Sequence, residues 1–212
     1  MVLYMKKNIN LYYTNTDNMP SKISKYLKDL SLKIRFKKII KMCKFSDSCK
    51  VLDVGCRDME LKSYLPNNVK YTAVDIKPQP GIIEVDLNKQ TLPFNDGEFD
   101  YVFCLEVLEH IHSPYNVIAE LKRVSKKYVI ISVPNPYHYR DVIKHLLRIP
   151  DKVGHINSFI YSNIWRICKE QNLEIKKIKG SFFFPFLPSN GRLWTRHMLY
   201  LLEVNNSAYK NT

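Results

Sequence analysis

Between residues 50 and 134, short apolar runs alternate with segments of helical periodicity, and this alternation constrains the fold more than any other feature of the sequence. The apolar runs are predicted as buried strands, at residues 51–54, 71–74, 82–85, 99–104 and 128–133. Continuous apolar strands that alternate with helices indicate a parallel sheet covered on both faces. We therefore predict an α/β fold with a doubly wound, mostly parallel sheet and helices on both faces.

The flanking segments are predicted from the same kinds of pattern. Residues 1–20 are polar and aperiodic and are expected to form a flexible arm. Residues 21–45 are predicted as a basic amphipathic helix, capped by Ser21, with an apolar face made of Ile23, Tyr26, Leu27, Leu30 and Ile34. Such a helix either packs on the core with a solvated lysine face or lies on a membrane or on nucleic acid. Further helices are expected at 61–65, 107–111, 117–124, 141–147 and 164–168, and a sixth strand at 173–178, whereas 193–204 fits either a helix or a strand.

No repeat, low-complexity tract or linker divides the sequence, so residues 21–212 are predicted to form one domain. Within it, residues 50–134 form one half and residues 135–212 the other. The five cysteines form no C-x-x-C pair, which argues against a zinc site or a disulfide framework and favours the cytoplasm. The N-terminus lacks the apolar core of a signal peptide, and no stretch approaches the ~18 apolar residues of a membrane span.

The formal net charge of +13 is unevenly distributed. Residues 1–50 carry twelve basic and three acidic side chains, residues 51–120 carry five and twelve, and residues 121–212 carry sixteen and five. Lysine supplies 25 of the 33 basic residues, so compositional bias can account for much of the total but not for the acidic middle. Basic flanks around an acidic centre are compatible with a polyanionic partner such as RNA.

In a doubly wound sheet, ligands bind beyond the carboxyl ends of the strands. Asp53 and Gly55 lie at the end of the first strand, where a glycine lets the backbone approach a ligand closely. Asp75 follows the second strand, where a carboxylate can accept both hydroxyl groups of a ribose. Asp86 and Leu87 follow the third and suit the amino group and ring of an adenine. Three acids at successive strand ends favour a cationic nucleoside over the pyrophosphate of NAD.

Four segments resemble, in order and spacing, the motifs of class I S-adenosylmethionine-dependent methyltransferases, specifically the small-molecule branch with the ubiquinone-type enzymes. They are residues 51–56, Asp75, residues 86–87 and residues 99–111. The resemblance implies a Rossmann-like fold, methyl transfer activity and S-adenosylmethionine as cofactor. The cofactor-binding residues that it implies are Asp53, Gly55, Cys56, Arg57, Asp75, Ile76, Asp86, Leu87, Cys104, Leu105 and Glu106.

The sequence departs from the family's G-x-G-x-G pattern, because Arg57 and Met59 stand at the second and third glycine positions. Arg57 either pairs with the methionine carboxylate of the cofactor or points to solvent, and Met59 can pack against the sheet. If the missing glycines close the pocket, the protein is instead a catalytically silent relative that acts as a partner subunit.

The sulfonium is already an activated methyl donor, so the protein needs mainly to align a nucleophile for in-line transfer. His110 and His155 are the candidate general bases for a hydroxyl acceptor, and each has a structural role as its alternative. Glu106, Glu109 and His110 match the E-x-x-E-H pattern of the magnesium site of ubiquinone-type O-methyltransferases, and on a helix that begins near Glu106 they would share one face. The same pattern occurs in relatives without a metal, and we expect no metal here.

The region after the fifth strand is expected to shape the acceptor pocket. Arg140, Arg148, Trp165 and the aromatic residues at 182–186 fit an apolar acceptor that carries a phosphate or a carboxylate. We therefore expect methyl transfer to an anionic small-molecule, lipid or glycan acceptor, with peripheral membrane contact possible. Transfer RNA or ribosomal RNA is the alternative acceptor, and the sequence leaves the oligomeric state open.

Overall fold

The computed structural model describes residues 21–149, 154–181 and 195–205. Its strands are β1 (Lys50–Val54), β2 (Lys70–Asp75), β3 (Ile83–Glu84), β4 (Phe99–Leu105), β5 (Ser125–Pro134), β6 (Leu173–Gly180) and β7 (His197–Val204). Its helices are α1 (Ser21–Ile40), α2 (Pro114–Val124), α3 (Tyr139–Leu146) and α4 (Tyr161–Glu170), with short 3₁₀ helices at Glu60–Tyr64 and Leu108–His110. The predicted arm at residues 1–20 and the aromatic residues 182–186 lie outside the described residues.

The seven strands form one sheet in the order β3-β2-β1-β4-β5-β7-β6. Strands β1 to β5 pair in parallel, whereas β7 is antiparallel to both of its neighbours, β5 and β6. The chain moves outward from β1 to β3 and then returns to place β4 on the other side of β1, so the strand order reverses between β1 and β4. The predicted doubly wound, mostly parallel sheet is confirmed, and this reversal is where such sheets open a ligand crevice.

Successive side chains of a strand point to opposite faces, and both faces of this sheet are covered. Leu52 and Val54 of β1 belong to a hydrophobic cluster that also contains residues of α2 and α4. Val51 belongs to a second cluster, in which Phe36 and Ile39 of α1 cover the other face. The strands therefore need no polar alternation, which explains the continuous apolar runs of the sequence.

Helix α1 differs from its prediction in length and in the face that it buries. It ends at Ile40 rather than at residue 45. Among the side chains described in α1, those of residues 29–40, the buried ones are Arg35, Phe36 and Ile39, whereas the predicted face residues Leu30 and Ile34 are half-buried. Over residues 29–40 the buried stripe is therefore rotated from the predicted one and includes a cation, and the predicted face residues Ile23, Tyr26 and Leu27 lie outside the described side chains.

Other differences concern short or ambiguous elements. The helices predicted at 61–65 and 107–111 are single 3₁₀ turns, and β3 is shorter than the strand predicted at 82–85. The undecided segment forms β7, which lies between β5 and β6 and is apolar on both faces, so its periodicity did not distinguish strand from helix. Among the described residues, no helix combines the length and apolar character needed to cross a bilayer.

Candidate functional site

A cavity of about 900 Å³ opens at the carboxyl ends of β1, β2 and β4, within the range of about 300–1,000 Å³ typical of ligand sites. Its wall includes segments far apart in the sequence: α1, the loops after these strands, α3, residues 155–159 and the start of β7. Predicted site residues that line it are Gly55, Arg57, Asp75, Ile76, Asp86, Leu87, Leu105, Glu106, Glu109, His110 and His155.

The loop after β1 has left-handed backbone angles at three positions, although only the first of them, Gly55, is a glycine. Gly55 has φ +74°, and its N–H donates to the Val74 carbonyl at 2.9 Å. Arg57 and Met59, at the positions of the missing glycines, also adopt left-handed φ values of +51° and +55°. This conformation costs roughly 1–2 kcal/mol for a residue with a side chain. The cavity nevertheless reaches Gly55 and Arg57, so the substituted loop leaves it open.

Asp75 joins the loops after β1 and β2. Its Oδ2 accepts the Arg57 N–H at 2.8 Å, and its Oδ1 accepts the Lys77 N–H at 3.0 Å. Each carboxylate oxygen has about two acceptor sites, so both can accept a further hydrogen bond from the cavity. At the end of β3, Asp86 accepts from Lys89 Nζ at 3.0 Å and from the Asn88 N–H at 3.0 Å. The Lys89 contact, then the Asn88 hydrogen bond, lower the pKa of Asp86.

Three residues of the predicted cofactor set do not line the cavity. Asp53 is 3% exposed and accepts a hydrogen bond from the Tyr71 hydroxyl at 2.6 Å. Desolvation raises the pKa of Asp53 to about 6, against the opposing effect of this hydrogen bond. Cys104 is completely buried in the sheet, and Cys56 lies in a small apolar cluster. Direct contact of these three residues with the cofactor therefore stays a prediction that the cavity wall does not support.

Glu106 does not begin a helix. It has φ +58°, a single left-handed residue after β4, and only the 3₁₀ helix Leu108–His110 follows. Glu106 Oε1 accepts from the Ser132 hydroxyl at 2.7 Å, and its Oε2 lies 3.5 Å from Arg35 Nη1 and 3.2 Å from His197 Nε2. The predicted shared face of Glu106, Glu109 and His110 is therefore wrong, because the left-handed turn directs Glu106 toward α1 and β7.

The sequence did not identify Arg35 or His197 as site residues. Arg35 is 9% exposed, and within the described residues its Nε has no hydrogen-bond partner. Desolvation lowers the pKa of Arg35, with Glu106 opposing the shift. Desolvation also lowers the pKa of His197, which favours a neutral ring beside Glu106, and its Nδ1 lies 2.8 Å from the Ser181 hydroxyl oxygen. The one available signal was that α1 carries a single arginine among lysines, and arginine is the usual cation of buried ion pairs.

Glu109, His110 and His155 form a second titratable group beside Glu106. Glu109 is 1% exposed, and its Oε2 has no hydrogen-bond partner among the described residues. Desolvation, then the charge of Glu106, raise the pKa of Glu109 to about 8. His110 Nδ1 lies 3.2 Å from the Gly154 carbonyl oxygen, and the two histidine rings are 4.9 Å apart. One ligand atom of each residue lies within 4.8 Å of the others, so His155 replaces Glu106 in the set that could hold a metal ion.

The far wall of the cavity carries positive charge. Lys144 and His145 of α3 line it, together with Arg196 at the start of β7, and Asp141 of α3 lines it as well, 3.4 Å from Lys144. Two residues predicted for the acceptor pocket, Arg148 and Trp165, are exposed and are not part of the wall. The strand loops therefore contribute mostly acids to the cavity wall, which we call the acidic end, and α3 with the start of β7 contributes more basic than acidic groups, which we call the basic end.

Comparison with known proteins identifies one matching family and several similar proteins. The family model described as methyltransferase domain matches residues 16–178. A ubiquinone biosynthesis O-methyltransferase of Glaesserella parasuis is 29% identical over 116 residues, which are 47% of this chain and 46% of the relative. The chain thus spans about half of that relative's length. The protein of the same name from Rickettsia typhi is 28% identical over 176 residues, covering 71% of this chain and 72% of the relative.

Solved structures show the same fold at low sequence identity. Magnesium protoporphyrin IX methyltransferase of Synechocystis, solved with bound SAH, superposes with a TM-score of 0.57 at 14% identity. The match covers 84% of this chain and 82% of that one.

Proposed function

Since the chain belongs to the methyltransferase-domain family, in the class I group that uses S-adenosylmethionine as cofactor, we propose that it transfers a methyl group to a small anionic hydroxyl acceptor. The observation that carries the proposal is the division of the cavity into an acidic end and a basic end. The name of the O-methyltransferase relatives supports a hydroxyl acceptor.

The residues at the acidic end fit S-adenosylmethionine. Asp75 retains acceptor capacity on both carboxylate oxygens, which suits the two hydroxyl groups of a ribose. Leu87 and Ile76 offer apolar contacts for an adenine ring, with Asp86 beside them. When bound, the cofactor supplies an activated methyl group on its sulfonium.

The Arg35–Glu106 pair suits the amino-acid end of the cofactor. An amino acid carries a carboxylate and an ammonium group, and this pair presents the opposite charges side by side at 3.5 Å. The side chain of Arg35 lines the cavity beside Glu106 and is largely buried, whereas the side chain of Arg57 is exposed. We therefore assign the carboxylate to Arg35 rather than to Arg57, and the ammonium group to Glu106.

His110 and His155 also line the cavity. With Nδ1 donating to the Gly154 carbonyl, His110 keeps Nε2 as an acceptor for the proton of a hydroxyl group. His155 lies beside it, and Lys144, His145 and Arg196 can hold a phosphate or carboxylate of the acceptor. The protein's contribution is thus to orient the hydroxyl group, to accept its proton and to neutralise the anionic group.

The test is transfer of a labelled methyl group into a cell extract separated by anion exchange. We expect the label in anionic small molecules, and label in RNA or protein would refute the proposed acceptor. Asp75→Ala should raise the Kd for S-adenosylmethionine by roughly tenfold to a hundredfold, since hydrogen bonds to a charged group contribute about 1.5–3 kcal/mol. An unchanged Kd would refute the assignment of the ribose.

Variants at the basic end test the acceptor separately. Lys144→Gln and Arg196→Gln should raise the KM for the acceptor, and Lys144→Gln should leave the Kd for S-adenosylmethionine unchanged. Arg166→Gln, at an exposed residue of α4 outside the cavity wall, is the matched control. Addition of EDTA tests whether Glu109, His110 and His155 bind a metal ion or whether His110 acts as a base. Retained activity supports His110 as the base, and a loss of activity that Mg²⁺ restores assigns the three residues to a cation site.

A further inference from the structure

Helix α3 directs its apolar side chains away from the protein. Val142, Ile143 and Leu146 are 37%, 38% and 78% exposed. At ~100° per residue these three side chains lie within an arc of about 100° on the helix. Asp141, Lys144 and His145 of the same helix line the cavity instead. A surface helix of a globular protein normally has the opposite arrangement, with its apolar stripe facing the core.

Cations outnumber acids among the described side chains of residues 141–149. Asp141 is the only acidic residue of α3, and it lies 3.4 Å from Lys144 on the cavity side. Arg148 is exposed just beyond the end of the helix. Ile156, which is 53% exposed, lines the cavity as well, so exposed apolar side chains occur on the cavity wall as well as on α3.

The size and chemistry of the face favour a lipid surface over other partners. Three apolar side chains are far fewer than the roughly 20–30 residues that each partner contributes to a stable protein interface. The side chains are aliphatic, whereas single-stranded nucleic acid is held by aromatic stacking. A short helix with apolar residues on its outer side and cations at its edge is suited to lie in the headgroup region of an anionic bilayer.

We propose that α3 docks this protein on membranes that contain anionic phospholipid. Val142, Ile143 and Leu146 enter the boundary between headgroups and acyl chains, and Arg148 contacts the headgroups. Lys144 and His145, on the other side of the same helix, place the basic end of the cavity next to the bilayer. That last step rests on the proposed function, because it lets an anionic acceptor with an apolar part pass from the membrane into the cavity.

The experiment is co-sedimentation of the full chain with vesicles of phosphatidylcholine alone or with an equal part of phosphatidylglycerol. We expect binding to the mixed vesicles, and Leu146→Ser should lower the partition coefficient roughly tenfold or more, because a buried leucine side chain contributes strongly to insertion. Arg148→Gln should lower it roughly fivefold on the mixed vesicles only, as expected for one cation near an anionic surface. Ile143→Thr should weaken binding, whereas Ile83→Thr, at a 43% exposed isoleucine of β3, is the matched control and should not.

Four results would overturn the proposal: no binding of the unmodified chain to the mixed vesicles, equal effects of Ile143→Thr and Ile83→Thr, a large fall in Tm for Leu146→Ser, or dissociation of a dimer by Leu146→Ser. The third result would mean that the chain itself covers this face, and the fourth that a second copy does. Sedimentation needs neither cofactor nor turnover, so loss of docking with methyl transfer retained refutes only the membrane proposal. Docking without methyl transfer to an anionic small molecule refutes only the proposed function.

Discussion

Glu109→Gln should make the protein more stable near neutral pH. The Glu109 carboxyl group is 1% exposed, its Oε2 has no partner among the described residues, and Glu106 is nearby. Burial and this like charge hold its pKa at about 8, compared with an ordinary value of 4.5. A carboxyl group with a raised pKa binds protons more tightly in the folded protein than in the unfolded chain. The free energy of unfolding therefore falls as the pH rises from about 4.5 to about 8.

The size of the effect follows from the same two values. At pH 7 the unfolded chain has ionised this group while the folded protein keeps most of it protonated, which costs the fold about 3 kcal/mol. At pH 5 the cost is below about 1 kcal/mol by the same relation. Glutamine has nearly the same shape and cannot ionise, so it removes the cost. Since a domain of this kind has a total stability of about 5–15 kcal/mol, a change of this size is readily measured.

Urea unfolding followed by circular dichroism at pH 5, 7 and 8 measures the difference between the two proteins. We expect nearly equal stability at pH 5 and an advantage of roughly 2–3 kcal/mol for Glu109→Gln at pH 7. Glu84→Gln, which removes an exposed carboxylate on β3, is the control for the change in net charge. A stability difference that does not change with pH would refute the raised pKa of Glu109.

Two further predictions concern the loop after β1. Gly55→Ala should lower the free energy of unfolding by roughly 2–3 kcal/mol and abolish binding of S-adenosylmethionine, because its Cβ would overlap the Val107 side chain at a backbone φ of +74°. Calorimetry on Gly55→Ala combined with Val107→Ala should show partial recovery, and no recovery would assign the defect to the backbone angle alone. Arg57→Gly should raise the free energy of unfolding by up to about 1 kcal/mol, and with it the Tm. The reason is that glycine removes an exposed side chain from a position held at a left-handed φ of +51°. The Kd of this variant for S-adenosylmethionine should stay within roughly threefold of the unmodified protein's value. Loss of a charge-assisted pair would cost about 1.5 kcal/mol or more, so a larger rise in Kd would show that Arg57 holds the cofactor.

The parts of the site that could be predicted are those fixed by position along a strand. Gly55, Asp75 and Asp86 lie at or just after the ends of successive parallel strands, and the carboxyl ends of such strands meet at one edge. Asp53 and Cys104 are in the same motifs but lie one or more positions back in their strands. Because neighbouring strand positions face opposite sides, they are buried beneath the cavity instead of lining it.

The role of Glu106 could not be predicted, because it depends on one backbone angle. A right-handed φ at this position would have continued into the expected helix and aligned its carboxylate with Glu109 and His110. At φ +58° the carboxylate instead contacts Ser132, Arg35 and His197. Left-handed conformations are uncommon for residues with side chains and leave no periodic signal.

The sequence by itself determined the parallel sheet, the edge at which ligands bind and the acids at that edge, because each depends on contacts within a strand and the loop that follows it. Only the tertiary structure brought Arg35 from α1 and His197 from β7 to Glu106, across sequence separations of 71 and 91 positions. It also decided that the apolar side of α3 faces outward while its charged side faces the cavity. Periodicity shows that a helix has two faces, but what packs against each face depends on distant segments of the chain.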